Sequence, residues 1–414
     1  MKKRVFCLAL ADGTANPFPE LGLRALARDG WDITFAAQNA ATSVMARALD
    51  YPCRRYEIEL ARSSRWKHEL SVQRWLQEAR FGRYDVIYLL SQALSIRAAF
   101  GLAGPLFGKR LVYHTFDFYD PVAHPCYSRF ERHVARRAAA HLNGEFHRAY
   151  FCRSAYRLRC PVCIVPPNLP SDWPIPPRSE EIRKRLGARG SGDVLLMLIG
   201  GRSPVRATDQ VLAALASLPQ RFRLAMTAEP SPELEQILTR LGVAGRVTCL
   251  GRLDYLDLFR YISSSDIGVM LHVNSDFGNF FQGPGRLTEY LACGLPVLAS
   301  HFTGLQLLMS RHGVGVTVDP GSPGSIASGL LALETGIRDG RYERSFIRRR
   351  FEDSFAFDHW ERRIQDVFAR VLESPRKDVS LAAPDILSLA APMYGSGEAS
   401  VGRRDWDRVG RRNL

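Results

Sequence analysis

The sequence predicts an α/β protein built from two Rossmann-like, doubly wound domains that face a central cleft. Three observations carry this. Buried strands alternate with amphipathic helices along both halves of the chain, which implies mainly parallel sheets covered on both faces. A proline-rich passage, "VPPNLPSDWPIPPRS" (Val165 to Ser179), interrupts the alternation near the middle, as an extended connector would. The chain has 414 residues, 46% of them hydrophobic, enough for two cores.

In the first half, "RVFCLALAD", "DITFAAQ", "YDVIYLLS" and "KRLVYHTFD" read as buried strands. "PELGLRALARDG", "ELSVQRWLQEAR", "SIRAAFGLAGPLFG" and "FERHVARRAAAHLN" read as helices. In the second half the strands are "GDVLLMLIGG", "FRLAMTAE", "RVTCLG", "SDIGVMLHV", "LPVLAS" and "GVGVTVD". Its helices are "ATDQVLAALASL", "SPELEQILTRLG", "LDLFRYISSS", "LTEYLACG" and "SPGSIASGLLALETG", followed by a basic amphipathic region ending in "FDHWERRIQDVFARVLES". From about Pro375 the chain turns Gly-, Pro-, Ser- and Arg-rich and is expected to be a flexible tail. The expected organisation is therefore a domain over 1–168, a second over 169–345, crossover helices over 346–374 and a basic tail over 375–414.

Composition narrows the function. The net charge of +14 favours anionic partners. No zinc-finger spacing, RNA-binding aromatic motif or helix-turn-helix supports nucleic acid. The start "MKKRVFCLALAD" reads as a first strand, because Asp12 closes the apolar segment too early for a signal peptide; a cytoplasmic protein is expected. Cys160 and Cys163 form a lone C-x-x-C without a second pair, so no metal is assigned. The loops "ADGTANPFPELG" and "IGGRSPVRA" lack G-x-G-x-x-G, which counts against a dinucleotide oxidoreductase.

The run "GPGRLTEYLACGLPVLAS" is the most specific signal. It resembles the Pro-x-Lys-Leu-x-Glu-Tyr-x-Ala-x-Gly-x-Pro-Val run of the family 4 retaining glycosyltransferases, with Arg286 in place of the lysine. "LIGGRSPVRATDQVLAAL", "VTCLGRLDYLDLFRYISSSDIGVML" and "TGLQLLMSRHGVGVTVDPGSPGSIASGLLAL" resemble further segments of the same family, in the same order. The likeness covers roughly residues 190 to 335, and the first domain is similar in outline. It implies the two-domain GT-B architecture, with the donor in the second domain and the acceptor recruited by the first.

The residues suit a nucleotide diphosphosugar. A carboxylate accepts hydrogen bonds from both ribose hydroxyls, a task the resemblance gives to Glu289; a carboxylate favoured by the helix dipole is the structural alternative. The diphosphate needs cations and backbone donors as the leaving group develops charge. Arg202 and Arg206, after the first strand of the second domain, and Arg286 are the candidates. Gly201, Gly283 and Gly285 would bring amides close to the ligand, Leu287 completes the run, and Gly304 fits a later glycine loop. Many members carry a sugar-touching glutamate seven residues before the ribose carboxylate. Here that neighbourhood holds Phe281 and Gln282, and Gln282 is the amide able to bind sugar hydroxyls. Across the cleft, "LVYHTFDFYD" offers Asp117 and His114 as catalytic candidates, while Asn168 is expected to shape the linker.

The resemblance implies retention by front-face substitution, in which positioning and charge stabilisation do most of the catalysis. No metal and no cofactor is expected; the nucleotide diphosphosugar, a UDP- or GDP-sugar, is a co-substrate. The basic segments "ARSSRWKHELSVQRWLQEARFGR" and "SRFERHVARRAAAHL" either lie on anionic lipid at the inner face of the cell membrane or form a solvated face. The acceptor is accordingly a glycan, glycolipid or lipid-linked intermediate, or a soluble small molecule. A sugar-nucleotide epimerase or hydrolase of the same fold, and a non-catalytic nucleotide-binding partner, are the rival readings.

Overall fold

The structure is a computed structural model that describes residues 2–59, 64–90, 110–117, 121–122, 124–275 and 285–373. The predicted helix 95–108, the tail from 375, Gln282 and Gly283 lie outside the described residues.

The first sheet comprises β1 (Arg4–Asp12), β2 (Asp32–Gln38), β3 (Arg54–Glu57), β4 (Val86–Leu90), β5 (Leu111–Thr115), β6 (Ala140–Asn143) and β7 (Val162–Ile164), in the order β3-β2-β1-β4-β5-β6-β7. Every pairing is parallel. Around it lie α1 (Phe18–Arg28), α2 (Val44–Ala48), α3 (Arg65–Phe81), α4 (Pro125–Ala135) and α5 (Phe146–Ala155).

The second sheet comprises β8 (Val194–Leu198), β9 (Phe222–Met226), β10 (Val247–Cys249), β11 (Ile267–Met270), β12 (Val297–Ser300) and β13 (Gly315–Val318), in the order β10-β9-β8-β11-β12-β13. It too is wholly parallel. Its helices are α6 (Glu180–Arg185), α7 (Thr208–Ser217), α8 (Pro232–Arg240), α9 (Tyr255–Ser264), α10 (Gly285–Ala292), α11 (Thr303–His312) and α12 (Pro323–Arg338), with α13 (Arg344–Arg350) and α14 (Asp358–Glu373) closing the described chain. Strand order reverses between β1 and β4 and again between β8 and β11. Such switch points open crevices at the carboxyl ends of the strands, where ligands bind in doubly wound sheets.

Most predicted elements recur within a few residues. One is corrected: "FERHVARRAAAHLN" is not one helix. The helix runs over Pro125–Ala135, and Ala140–Asn143 is a fully buried strand between β5 and β7. A short apolar run carries no period that separates a buried strand from a buried helix. Gly304, placed in a glycine loop, lies in the first turn of a helix, Thr303–His312, and β3 escapes the sequence reading because "RRYE" has the charged pattern of an edge strand.

The last helix returns to the first domain. Phe368 on α14 is fully buried, with its ring edge-on to Trp31 at 5.5 Å and to Tyr88 at 5.2 Å. Gln365 donates from Nε2 to the carbonyl of Ala25 on α1 at 2.9 Å. Asn168 donates to the carbonyl of Phe355 at 2.6 Å, which ties the connector to the segment leading into α14. Phe368→Ala is therefore expected to cost about 3–5 kcal/mol, read as a lowered midpoint of urea unfolding by tryptophan fluorescence. An unchanged midpoint would refute this docking.

Candidate functional site

The site forms at the switch point of the second sheet. Tyr290 on α10 fixes its geometry: its hydroxyl donates to the carbonyl of Met197 at 2.9 Å and accepts from the amide of Ile199 at 3.3 Å. The ring lies on Gly268 of β11, where a Cβ would collide with it. The helix start carrying Arg286 and Glu289 is thereby held over the ends of β8 and β11. Three residues apart on one helix, these two side chains share a face.

Glu289 is 4% exposed and accepts a hydrogen bond from the Tyr255 hydroxyl at 2.7 Å through Oε1. Its Oε2 has no hydrogen-bond partner among the described residues. Burial raises its pKa, while the Tyr255 hydroxyl and the charge of Arg286 pull it partly back.

After β8 the chain passes through two left-handed glycines, Gly200 (φ 111°) and Gly201 (φ 71°). The φ of Gly200 favours glycine, and the Arg206 guanidinium packs into the space that a Cβ there would take. Arg206 ends a short 3-10 turn, Pro204–Arg206. Burial, followed by the facing Arg286, pushes the Arg206 guanidinium down to about 10. Neither Arg206 nor Arg286 has a carboxylate within ion-pair distance among the described residues. Two mutually repelling cations without an ion-pair partner among the described residues, only partly offset by the Glu289 charge, suit an anionic ligand.

Other expectations are corrected. Arg202 faces away from this cluster. Its Nε and Nη1 lie 2.9 Å from Asp209 and Glu233, and both carboxylates raise its pKa. The turn at Gly200 and Gly201 aims residue 202 at the first turns of α7 and α8, where those acids lie. Leu287 is fully buried in the core, so its side chain serves packing. A Cβ on Gly285 would lie 3.3 Å from the Phe18 ring, so this glycine admits a side chain of the first domain.

His114 is 2% exposed, with its Nδ1 2.7 Å from the Tyr88 hydroxyl and its ring 4.4 Å from that of Phe116. Burial, then His141, pushes it down to about 3. It is a neutral core histidine because β5 is an interior strand whose side chains on both faces are covered. Asp117, just past that strand, is exposed and paired with Arg148 on α5 at 2.8 Å.

Sequence reasoning missed Arg148, Tyr255, Gly200 and His272. Gly200 and Tyr255 lie within runs that resemble the family without being singled out by them, and His272 lies near the end of the "SDIGVMLHV" strand at the switch point. Further contacts cross the cleft: Arg47 pairs with Asp254 at 2.9 Å, and Gly304 at the start of α11 lies against His147. His147 is bonded to Glu145 at 2.8 Å. Burial opposes its charged form, but the Glu145 carboxylate outweighs it and raises the pKa.

Comparison with known proteins places this geometry. Residues 193–335 match the family "Glycosyl transferases group 1". D-inositol 3-phosphate glycosyltransferase of Geodermatophilus obscurus is 29% identical over 185 residues, 41% of this chain and 39% of that protein. The chain thus spans about two fifths of that curated relative's length. Sucrose-phosphate synthase from Thermosynechococcus elongatus superposes with a TM-score of 0.69 at 16% identity, covering 90% of this chain and all of that one. Anabaena Alr3699/HepE, solved with UDP and glucose, gives 0.67 at 18% identity over 89% of this chain and all of its own. At these identities the structural likeness is one of fold. Residues 193–335 thus match the glycosyl transferases group 1 family, within a chain that has the GT-B fold.

Proposed function

We propose that this protein is a retaining glycosyltransferase that moves a sugar from a nucleotide diphosphosugar, a UDP- or GDP-sugar, to an acceptor. One observation carries the reading. Glu289 offers a carboxylate oxygen without a hydrogen-bond partner among the described residues, near two cations, Arg206 and Arg286, that form no ion pair among those residues, all at the switch point of the second sheet. The carboxylate suits the ribose hydroxyls and the guanidiniums suit the diphosphate. As the glycosidic bond breaks, its electron pair passes to the diphosphate oxygen, and the fixed cations stabilise the growing charge. Arg148 of the first domain, paired with Asp117, acts electrostatically on His272 beside this group. Alr3699/HepE, of the same fold, binds UDP and UDP-glucose.

For the acceptor, a glycan, glycolipid or lipid-linked intermediate fits a protein that works at a membrane surface. The outward face of α3 exposes Trp66 (76%), Leu70 (57%) and Phe81 (72%), interspersed with Arg65, Lys67, Arg74 and Arg80. Such a face suits peripheral docking of a cytoplasmic enzyme on anionic lipid. Among the described residues no helix is long and apolar enough to cross a membrane. A phosphorylated polyol is the small-molecule choice, after the name of the curated relative.

The deciding experiment incubates the protein with labelled UDP- and GDP-sugars, anionic-lipid vesicles and a panel of glycan, glycolipid and sugar-phosphate acceptors, and determines the product anomer by NMR. A transferred sugar in the donor's anomeric configuration is expected. Stoichiometric sugar release or epimerisation without acceptor would overturn the transferase reading, and failure to sediment with the vesicles would overturn the membrane surface.

A further inference from the structure

His272 lies two residues past β11, at the switch point, and its surroundings are built to hold it still. Its amide donates to Ser300 Oγ at 2.7 Å, and the same hydroxyl donates to the His272 carbonyl at 2.8 Å. The next residue, Val273, donates to the carbonyl of Val205 at 2.8 Å, which ties this end of β11 to the turn that presents Arg206. The imidazole is 7% exposed, and its Nδ1 is buried without a hydrogen-bond partner among the described residues. A buried polar atom left unpaired costs free energy unless a ligand or water satisfies it.

Among the described residues, the charges that act most strongly on the ring are those of three arginines. In the unliganded site burial, then Arg286, Arg206 and Arg148, push the imidazole down to about 3, which favours its uncharged form at neutral pH. Guanidiniums only donate, and none of the three donates to this ring. A cation at this position would add to the repulsion between Arg206 and Arg286. A carboxylate would pair with them and close the site to anions. A neutral imidazole does neither, and it supplies an oriented N–H.

We propose that His272 binds the diphosphate of the nucleotide sugar as an uncharged hydrogen-bond donor, an inference that rests on the donor-site reading above. The arginines bring the charge, and His272 fixes the orientation of a phosphate oxygen between β8 and β11. No proton moves through it. When the glycosidic C–O bond breaks, the electron pair stays on the diphosphate oxygen and the imidazole keeps its N–H.

The test compares wild type with His272→Phe, which keeps a ring and removes both nitrogens, and with His272→Gln, which restores an N–H. Calorimetry would measure UDP, GDP and inorganic pyrophosphate, with uridine and guanosine as diphosphate-free controls. For whichever nucleotide the wild type binds, His272→Phe is expected to weaken affinity about tenfold, and that of pyrophosphate similarly. The matching nucleoside should bind unchanged, and His272→Gln should recover part of the loss. A misfolded variant would lose nucleoside and nucleotide alike, and that result, or no loss in His272→Phe, overturns the proposal. If the wild type binds neither nucleotide, the donor-site reading itself falls. If Glu289→Ala loses nucleotide affinity while His272→Phe does not, only the role of His272 falls.

Discussion

Replacing Glu289 by glutamine is expected to lower kcat/KM for the donor by roughly 100- to 1,000-fold while leaving the unliganded protein as stable as wild type or more so. The loss follows from two hydrogen bonds between a carboxylate and a vicinal diol, each worth about 1.5–3 kcal/mol when one partner is charged. The stability effect follows from the direction of the pKa shift. Burial raises Glu289 above the usual 4.5, so the folded state holds its proton to a higher pH than the unfolded chain does. The stability that the protonated group contributes is complete below 4.5 and is lost as pH rises through the folded value. At neutral pH the ionised carboxylate is a net cost, one that the ligand offsets when its hydroxyls reach Oε2. Glutamine keeps an acceptor for the Tyr255 hydroxyl and removes the charge. Thermal midpoints of wild type and variant should coincide near pH 4 and separate in favour of the variant at pH 7. Undiminished donor affinity in Glu289→Gln would end the ribose assignment.

The second large effect is expected at Arg206. Arg206→Ala should lower kcat/KM by about 100- to 1,000-fold, as loss of a fixed donor aimed at developing charge does elsewhere. Arg206→Lys should recover only part, because an ammonium is a point charge without the planar fork that matches a phosphate. Arg202→Ala should stay within about threefold of wild type, since Arg202 lies on the surface with Asp209 and Glu233 and such pairs contribute little. The contrast is informative because the two arginines are four residues apart in one loop. Equal losses at both positions would show that the loop reorganises when the donor binds. Because Arg206 and Arg286 repel each other in the unliganded site, Arg206→Ala should not lower the unliganded thermal midpoint.

Much of the fold was legible in the sequence because its signals are local. Apolar runs of strand length, helices with one buried face and the proline-rich connector each report their own conformation. All six strands of the second sheet were readable for that reason. The elements that escaped were those whose identity depends on what covers them. Ala140–Asn143 is a strand because β5 and β7 flank it. Thr303–His312 is a helix although it opens with a glycine, which makes room for His147 of the other domain.

The candidate site divides in the same way. Glu289 and Arg286 could be named from the sequence because they stand in a run that resembles a known family, and the helical spacing gives them a common face. Side-chain direction in loops, and the burial of one particular histidine, have no such local rule. Only the tertiary structure turned Arg202 outward toward Asp209 and Glu233, buried His114 behind Tyr88, and paired Asp117 with Arg148. Only the pairing of β8 with β11 and the packing of α10 on that sheet brought His272 and Arg206 to Arg286, from separate segments of the chain. The sequence by itself determined most of the elements, which follow from local periodicity, and its resemblance to a family run pointed to the helix start at Arg286. The electrostatic character of the site was decided by tertiary structure, because burial and the distance between charges exist only once distant segments have met.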